Sequence, residues 1–202
     1  MRKVVHLTTV HNPFDNRIFH RECETLVEAG FEVVLLAEHA GNESREGISI
    51  RALPKASGRL ARMSLGVLRA LRMALAERAD IYHFHDPELI PAGLMLRLLG
   101  KRVVYDIHED NLTAIRHREY LPVVLRVLIA KIFAVVGSCA CRHFHLVLAE
   151  RYYAKRFPRG QTILNYARFP DLNESRLAAR PPRENPRLIY TGNIKVYRGA
   201  QH

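Results

Sequence analysis

Residues 80–110 read DIYHFHDPELIPAGLMLRLLGKRVVYDIHED, and this stretch decides the fold class. An apolar run at 80–85 ends at His85, a helical stretch over about 90–99 stops at Gly100, and a second apolar run follows at 102–108. Two buried strands separated by one helix are typical of a right-handed βαβ unit. We therefore predict two parallel strands here, with polar residues where each strand ends.

The same alternation extends over most of the chain. Further strands are predicted at residues 3–9, 31–37, 48–53, 145–150 and 161–165, and helices at about 17–29, 59–78, 121–142 and 151–157. Strands that alternate with helices give an α/β fold, and continuous apolar strands such as residues 103–105 indicate burial on both faces. We expect one α/β domain over residues 1–167, a mostly parallel sheet with helices on both faces.

The character of the sequence changes after residue 167. Residues 168–187 contain four prolines and no apolar periodicity, which predicts a linker between domains. Residues 188–191 then have the pattern of a buried strand that runs into Gly192. We expect residues 188–202 to be the first strand and turn of a second domain.

The chain is strongly basic, with 31 Lys and Arg against 20 Asp and Glu and a formal net charge of +11. Such a balance favours anionic partners. On the helix predicted at 59–78, an apolar stripe is expected to pack on the sheet: Leu60, Met63, Val67, Leu71 and Ala74. The opposite side carries four arginines, which are either solvated or in contact with an anionic membrane: Arg59, Arg62, Arg69 and Arg72. No nucleic-acid-binding module is visible, so we expect no nucleic acid partner.

Three cysteines do not make a disulfide framework, which indicates a reducing compartment. The apolar run near the start of the chain is interrupted by His6 and is too short for a signal peptide. The most apolar window, residues 121–141, contains Arg126 and Lys131, so a core or interfacial helix is expected there instead of a membrane span. We expect a cytoplasmic protein, peripheral on the inner face of the membrane.

Polar residues cluster after three of the predicted strands. The clusters are HNPFDNR at 11–17, HDPE at 85–88 and HEDN at 108–111. Because the carboxyl ends of parallel strands meet at one edge of a sheet, we expect these clusters to form one crevice. Asp15 and Asp86 have an alternative role as helix caps, and His6 and His83, within strands, are expected to be structural.

Two kinds of site are not expected. His83 and His85 have a spacing compatible with two metal ligands, but no third ligand occurs at a diagnostic spacing, so no metal site is predicted. Neither a G-x-G-x-x-G nor a P-loop motif follows the first strand, which argues against a dinucleotide or P-loop site.

Three stretches together resemble glycosyltransferases of family 4, which have the GT-B fold. They are HNPFDNRIFHRECETLVEAGFEVVLL at 11–36, the stretch at 80–110 already quoted, and RLIYTGNIKVYRG at 187–199. The resemblance implies two Rossmann-like domains, of which the amino-terminal one binds the acceptor and the other binds most of a nucleotide-sugar donor. It also implies retaining transfer to a glycan or lipid-linked acceptor, as in polysaccharide biosynthesis, without a metal ion or other cofactor.

The resemblance suggests roles for individual residues. His108 matches a histidine near the reacting centre in relatives and is the expected catalytic residue. The expected lining of the cleft between acceptor and donor is His11, Asp15, Arg17, His85, Asp86 and Glu109. Gly192 and Arg198 match positions that hold the donor diphosphate, whereas Asn193 stands where a basic residue is usual. HNPFDNR also replaces the usual glycine pair after the first strand.

Because the sequence leaves the family pattern after Gly199, we expect a chain that is nearly inert alone. Either more polypeptide or a second chain would supply the donor domain. The alternative is a non-catalytic Rossmann-like module that binds an anionic glycan, lipid or protein.

Overall fold

The structure is a computed structural model and describes residues 1–108, 115 and 122–166. Met1–Asn165 forms one compact unit. Its centre is an eight-stranded sheet in the order β3-β4-β2-β1-β5-β6-β7-β8. The strands are β1 Lys3–Leu7, β2 Glu32–Glu38, β3 Glu43–Arg45, β4 Ile48–Leu53, β5 Ile81–Phe84, β6 Arg102–Ile107, β7 His145–Leu148 and β8 Gln161–Thr162. Every pairing is parallel except that of β3 with β4.

Four helices connect these strands within the described residues. Helix α1, residues 18–28, has a π-helical part Ile18–Cys23 followed by an α-helical part Glu24–Glu28. Helix α2, residues 59–76, consists of Arg59–Ala61, a π-helical part Arg62–Gly66, and Val67–Ala76. Helix α3, residues 87–98, begins with a 3₁₀ turn Pro87–Leu89 and continues as Ile90–Leu98, and helix α4 is Val123–Cys141. A short 3₁₀ helix, Arg151–Lys155, precedes β8.

The sheet is buried on both faces because its strands are apolar on both sides. One face packs with α2 and α3 in a large cluster that includes Val5, Tyr82 and Phe84. The other face packs with α1 in a smaller cluster that includes Phe19 and Leu35. The predicted α/β class, with a mostly parallel sheet and helices on both faces, is confirmed.

Two details of the helices differ from expectation. Leu60 and Met63 are exposed, so only the second half of the predicted stripe is confirmed: Val67 and Ala74 are buried together with Ala70, and Leu71 packs against the core. The π-helical turn changes the angular spacing of residues 62–66, which explains why the first half of the predicted stripe leaves the core.

Helix α4 is not the core helix that the sequence suggested as one possibility. It has 19 residues and a mean hydropathy of 2.2, long and apolar enough to cross a membrane by length and composition, yet only 17% of that window is buried. Many of its apolar side chains are exposed, among them Val124 and Val135. The interfacial alternative stays a prediction.

Several predictions fall on residues that the structure does not describe. These predictions concern Glu109, the linker at 168–187, and the second domain at 188–202, which includes Gly192 and Arg198. All of them lie outside the described residues.

Candidate functional site

The candidate site lies where the order of the strands reverses. β1 is central, with β2 on one side and β5 on the other. The chain therefore runs outward in one direction through β2 and β4 and in the other through β5, β6 and β7. Ligands of open parallel sheets bind at such a switch point, outside the carboxyl ends of the strands.

Two carboxylate–histidine pairs face each other at this edge. Nδ1 of His108 lies 2.9 Å from Oδ2 of Asp106, and Nδ1 of His11 lies 2.9 Å from Oδ1 of Asp86. The two Nε2 atoms are 3.2 Å apart. With both Nδ1 protons directed at carboxylates, this contact is a hydrogen bond when one Nε2 carries a proton. The two Nε2 atoms therefore lie together at this edge, where either could hydrogen-bond a hydroxyl group that enters the crevice.

Asp106 is fully buried at the end of β6 and orients His108. Arg17 donates two hydrogen bonds to it, from Nε to Oδ2 and from Nη2 to Oδ1, each 2.7 Å long. Burial would raise the pKa of Asp106, but the hydrogen bonds from Arg17, His108 and His85 outweigh it and hold this pKa well below its ordinary value. Asp106 is therefore a carboxylate that accepts the Nδ1 proton of His108, and Nε2 of His108 faces His11.

Asp86, just after β5, orients His11 in the same way, through the contact between its Oδ1 and Nδ1 of His11. Its Oδ2 accepts hydrogen bonds from the hydroxyl of Thr8 at 2.8 Å and the backbone N–H of Thr9 at 2.6 Å. Burial would raise the pKa of Asp86, but the hydrogen bond and charge of His11, followed by the contacts with Thr9 and Thr8, lower it. The carboxylate does not cap the turn that begins at Pro87. It ties the segment after β1 to β5, so the capping alternative for Asp86 is wrong.

The predicted cleft residues occupy different levels of the site. His11, Asp86 and His108 lie together at the edge, as described above. Arg17 and His85 are buried beneath it, where both contact Asp106. Asp15 caps α1, since its Oδ1 accepts the backbone N–H groups of Arg17 and Ile18 at 2.8 and 3.1 Å.

Sequence reasoning missed the side chains that support the site. The sequence pattern places Asp106 within the predicted strand at 102–108, and Thr8 and Thr9 at the end of the first strand, without indicating a role in the site. A signal was present, because a charged residue inside an otherwise apolar buried strand needs a partner. The partner of Asp106 is Arg17, 89 positions away in sequence, and a single sequence does not reveal such a pairing.

An open depression of about 410 Å³ lies at the same end of the sheet. Its lining comes from the end of β2 and the segments after β1, β2 and β4, and includes Asn12, Phe14, Glu38, His39 and Lys55. Polar and aromatic side chains around a shallow depression suit a polyhydroxyl ligand, since hydroxyl groups hydrogen-bond and sugar C–H faces pack on rings.

The mostly parallel sheet with helices on both faces is consistent with the amino-terminal domain of a GT-B glycosyltransferase. The family model of Glycosyltransferase Family 4 matches residues 16–156, and the chain belongs to this family. A comparison with curated proteins gives no significant match.

Solved structures agree on the fold. Sucrose-phosphate synthase from Thermosynechococcus elongatus matches with a TM-score of 0.59 and 14% identity, over 81% of this chain and 47% of that chain. A second structure of sucrose-phosphate synthase from the same organism matches with a TM-score of 0.52 and 16% identity, over 88% of this chain and 93% of that one. The present chain thus spans about half the length of the first of these structures.

Proposed function

We propose that this chain is the acceptor-binding half of a retaining glycosyltransferase that moves a sugar from a nucleotide-sugar donor to a glycan or lipid-linked acceptor. The observation that carries the proposal is the pair of histidines at the switch point, His11 and His108, each held by a buried carboxylate. Membership of glycosyltransferase family 4 supplies the reaction class.

In this proposal His108 is the catalytic residue and hydrogen-bonds the reacting sugar or the acceptor hydroxyl. Asp106 fixes the tautomer of His108 and keeps Nε2 directed into the crevice. His11 is the alternative partner of that Nε2 atom, and an incoming hydroxyl group would replace it. The acceptor would extend from these histidines into the depression lined by Asn12 and Phe14.

Turnover in this proposal needs a second, donor-binding domain. Stabilising the departing diphosphate requires positive charge and hydrogen-bond donors aimed at its oxygens. Arg198 and Gly192 are the residues proposed for that task, and the rest would come from further polypeptide or from a second chain. No metal ion or other cofactor is proposed for the transfer step.

The test is an assay of donor hydrolysis and sugar transfer with a panel of nucleotide sugars. We expect almost no turnover by this chain alone and measurable transfer when the chain is extended by the downstream reading frame or mixed with a donor-domain chain. His108→Gln in the active form should abolish most transfer, whereas His143→Gln, at an exposed position away from the edge, should not. Binding of a glycan with no turnover in any form would instead support the non-catalytic module.

We further propose that the protein is cytoplasmic and peripheral on an anionic membrane, with α2, α3 and α4 facing the lipid. These helices expose apolar side chains on their outward sides, including Leu60, Leu65, Leu98 and Val124. Arg59, Arg69 and Arg72 are exposed beside them. Arg62 does not fit the predicted role, because its Nε donates to Glu88 at 2.8 Å and the side chain is committed to the protein.

Vesicle sedimentation tests the membrane proposal. The chain should bind vesicles that contain anionic lipid, bind neutral vesicles weakly, and dissociate as salt rises. Burying one leucine is worth about 1.5–3 kcal/mol, so Leu65→Glu should weaken binding by at least about tenfold. Ile163→Glu is the matched control, since Ile163 is similarly exposed but lies after β8. Equal loss in both variants would contradict the proposed surface.

A further inference from the structure

A second cluster of polar side chains lies under the candidate site, between the sheet and α1. It consists of His6 on β1, His83 and His85 on and after β5, and Glu22 on α1, and we call it the buried histidine cluster. His6 and His83 are register partners in neighbouring parallel strands, so their side chains leave the same face of the sheet. The sequence analysis paired only His83 and His85 among these four residues.

The four side chains point ligand atoms at one small volume. Oε2 of Glu22 lies 3.9 Å from Nδ1 of His6, 3.9 Å from Nδ1 of His83 and 3.8 Å from Nε2 of His85. Nδ1 of His6 and Nε2 of His85 are 3.0 Å apart. Zinc–ligand bonds of about 2.0–2.2 Å in a tetrahedron place neighbouring ligand atoms about 3.3 Å apart. The four separations given above differ from this value by about half an ångström, and all four ligand atoms lie within 4.8 Å of one another.

We propose that His6, Glu22, His83 and His85 bind one divalent transition-metal ion, with Zn²⁺ as the expected occupant. Three imidazoles and one carboxylate are a donor set that suits zinc and its neighbours in the transition series, whereas Ca²⁺ and Mg²⁺ require oxygen-rich sites.

Unsatisfied polar atoms give independent support. Both carboxylate oxygens of Glu22 are inaccessible to solvent and accept no hydrogen bond among the described residues, and burial together with the neighbouring Asp106 raises the pKa of Glu22. Nε of Arg17 is 3.1 Å from Oε1, but its single proton goes to Asp106 at 2.7 Å. A buried carboxylate without hydrogen bonds is costly, and a bound cation removes that cost.

The helix is built in a way that directs Glu22 at the sheet. In an α-helix, residues five apart point about 140° away from each other. Here the N–H of Glu22 bonds to the carbonyl of Arg17, five residues earlier, at 3.0 Å, which is the π-helical pattern. The wider turn lets Arg17 and Glu22 face the sheet together, one contacting Asp106 and the other the histidines.

The site is of the structural type. All four ligands come from the protein, and His6 and His85 are almost completely buried, which leaves no open coordination position for substrate. The Nδ1 atom of His85 lies 3.4 Å from Oδ2 of Asp106, so the carboxylate–histidine–metal arrangement found around zinc sites is present. An ion on His85 would fix its tautomer and, through Asp106, the orientation of His108.

A neighbouring trio, His85, Asp106 and His108, also brings three ligand atoms together. It is the weaker candidate because both oxygens of Asp106 already accept short hydrogen bonds from Arg17. The two alternatives share His85 and differ in His83 and His108, which provides the means to distinguish them.

The experiment uses the full chain without an affinity tag, stripped with a chelator and titrated with Zn²⁺ against a chromophoric chelator. We expect one zinc per chain. Loss of an outer-shell partner alone costs about 10–100-fold in affinity, so His83→Gln should cost at least about 100-fold. His108→Gln should cost at most about 100-fold, and the exposed-site control His143→Gln should change nothing.

Binding that survives His83→Gln but disappears in His108→Gln would overturn the proposal in favour of the trio, and absence of stoichiometric binding would overturn it entirely. Should His83→Gln fail to fold by circular dichroism, the wild-type chain still decides. Its Co²⁺ form should show the intense visible absorption of tetrahedral cobalt, and X-ray absorption of the zinc form should show four nitrogen or oxygen ligands with the outer-shell scattering of three imidazoles. Octahedral coordination or a sulfur ligand would refute the assignment.

Discussion

Replacing Asp106 by Asn should destabilise the chain severely, and the structure gives the size of the effect. The change removes the negative charge while keeping the shape of the side chain. Arg17, only 6% exposed, would then keep a buried positive charge whose strongest partner is gone. The nearby Glu22 has a raised pKa, because burial and the charge of Asp106 outweigh the effect of Arg17, and it compensates only partly.

Two lines of reasoning give the same magnitude. Arg17 makes two charge-assisted hydrogen bonds of 2.7 Å to Asp106, and each such bond contributes about 1.5–3 kcal/mol. Breaking a buried ion pair by removing one partner costs about 3–5 kcal/mol. We therefore expect the free energy of unfolding to fall by about 3–5 kcal/mol and the Tm by about 10 °C, at roughly 2–4 °C per kcal/mol for a chain of this size.

Urea denaturation followed by circular dichroism measures this loss. Arg17→Met combined with Asp106→Asn should be less destabilised than the sum of the single changes, because no unpaired charge remains buried. The control is Glu38→Gln, which removes an exposed ion pair with Lys55 at 3.8 Å and should cost less than about 1 kcal/mol. A loss below 1 kcal/mol for Asp106→Asn, or strict additivity in the double variant, would refute the reasoning.

Three further predictions concern acid stability, packing and activity. Burial lowers the pKa of His83 to about 3, so below about pH 6.5 the unfolded chain takes up a proton that the folded chain does not. The free energy of unfolding therefore decreases as the pH is lowered, by about 2 kcal/mol at pH 5 from this residue alone. Urea titrations at pH 7.5 and 5 should show a smaller decrease for His83→Gln. A Cβ atom at Gly93 would lie 2.6 Å from the ring of Phe84 and 3.1 Å from that of Phe144, so thermal unfolding of Gly93→Val should show a loss of about 1–3 kcal/mol. In a form that contains the donor domain, His108→Gln should lower kcat by about 10²–10⁴-fold, measured as transfer at saturating donor.

The first two predictions have matched controls, and the third has an outcome that would contradict it. His143→Gln should keep the wild-type pH dependence, because His143 is exposed. Gly41→Val should be nearly neutral, since a Cβ atom there meets nothing within 4 Å. A rise in KM without a change of kcat in His108→Gln would assign His108 to substrate binding alone.

The fold was largely predictable because its signals are local. The strands β1, β2, β4, β5, β6 and β7 each carry an apolar run long enough to recognise, and glycines such as Gly30 and Gly100 mark the helix ends with a positive φ. β3 was missed because its three residues, Glu43–Arg45, are all exposed and have no apolar pattern. It pairs antiparallel with β4 at the edge of the sheet, where backbone pairing alone suffices.

The residues at the edge of the site were predictable, whereas the buried contacts that hold them in place were not. The rule that parallel strands end at one edge brought together His11, Asp86 and His108 from three distant segments. What holds them is a set of pairings across 77 to 97 positions, including Thr9 with Asp86 and His11 with His108. Such pairings depend on strand order, which one sequence specifies only weakly. The same holds for the proposed metal site, which depends on the fold bringing His6 and Glu22 to His83 and His85.

The π-helical turn at Ile18–Cys23 has a consequence for comparing this chain with its relatives. Because each of its hydrogen bonds spans one residue more than in an α-helix, the turn has the register of a helix with a single inserted residue. An alignment that forbids gaps inside helices will shift Glu22 by one position relative to a homologue whose helix lacks the extra residue. Homologues are better aligned by superposing Arg17 and Glu22 on the sheet. In such an alignment, homologues that have the extra residue in α1 should also have His6 and His83. Homologues that lack the extra residue should lack the two histidines as well.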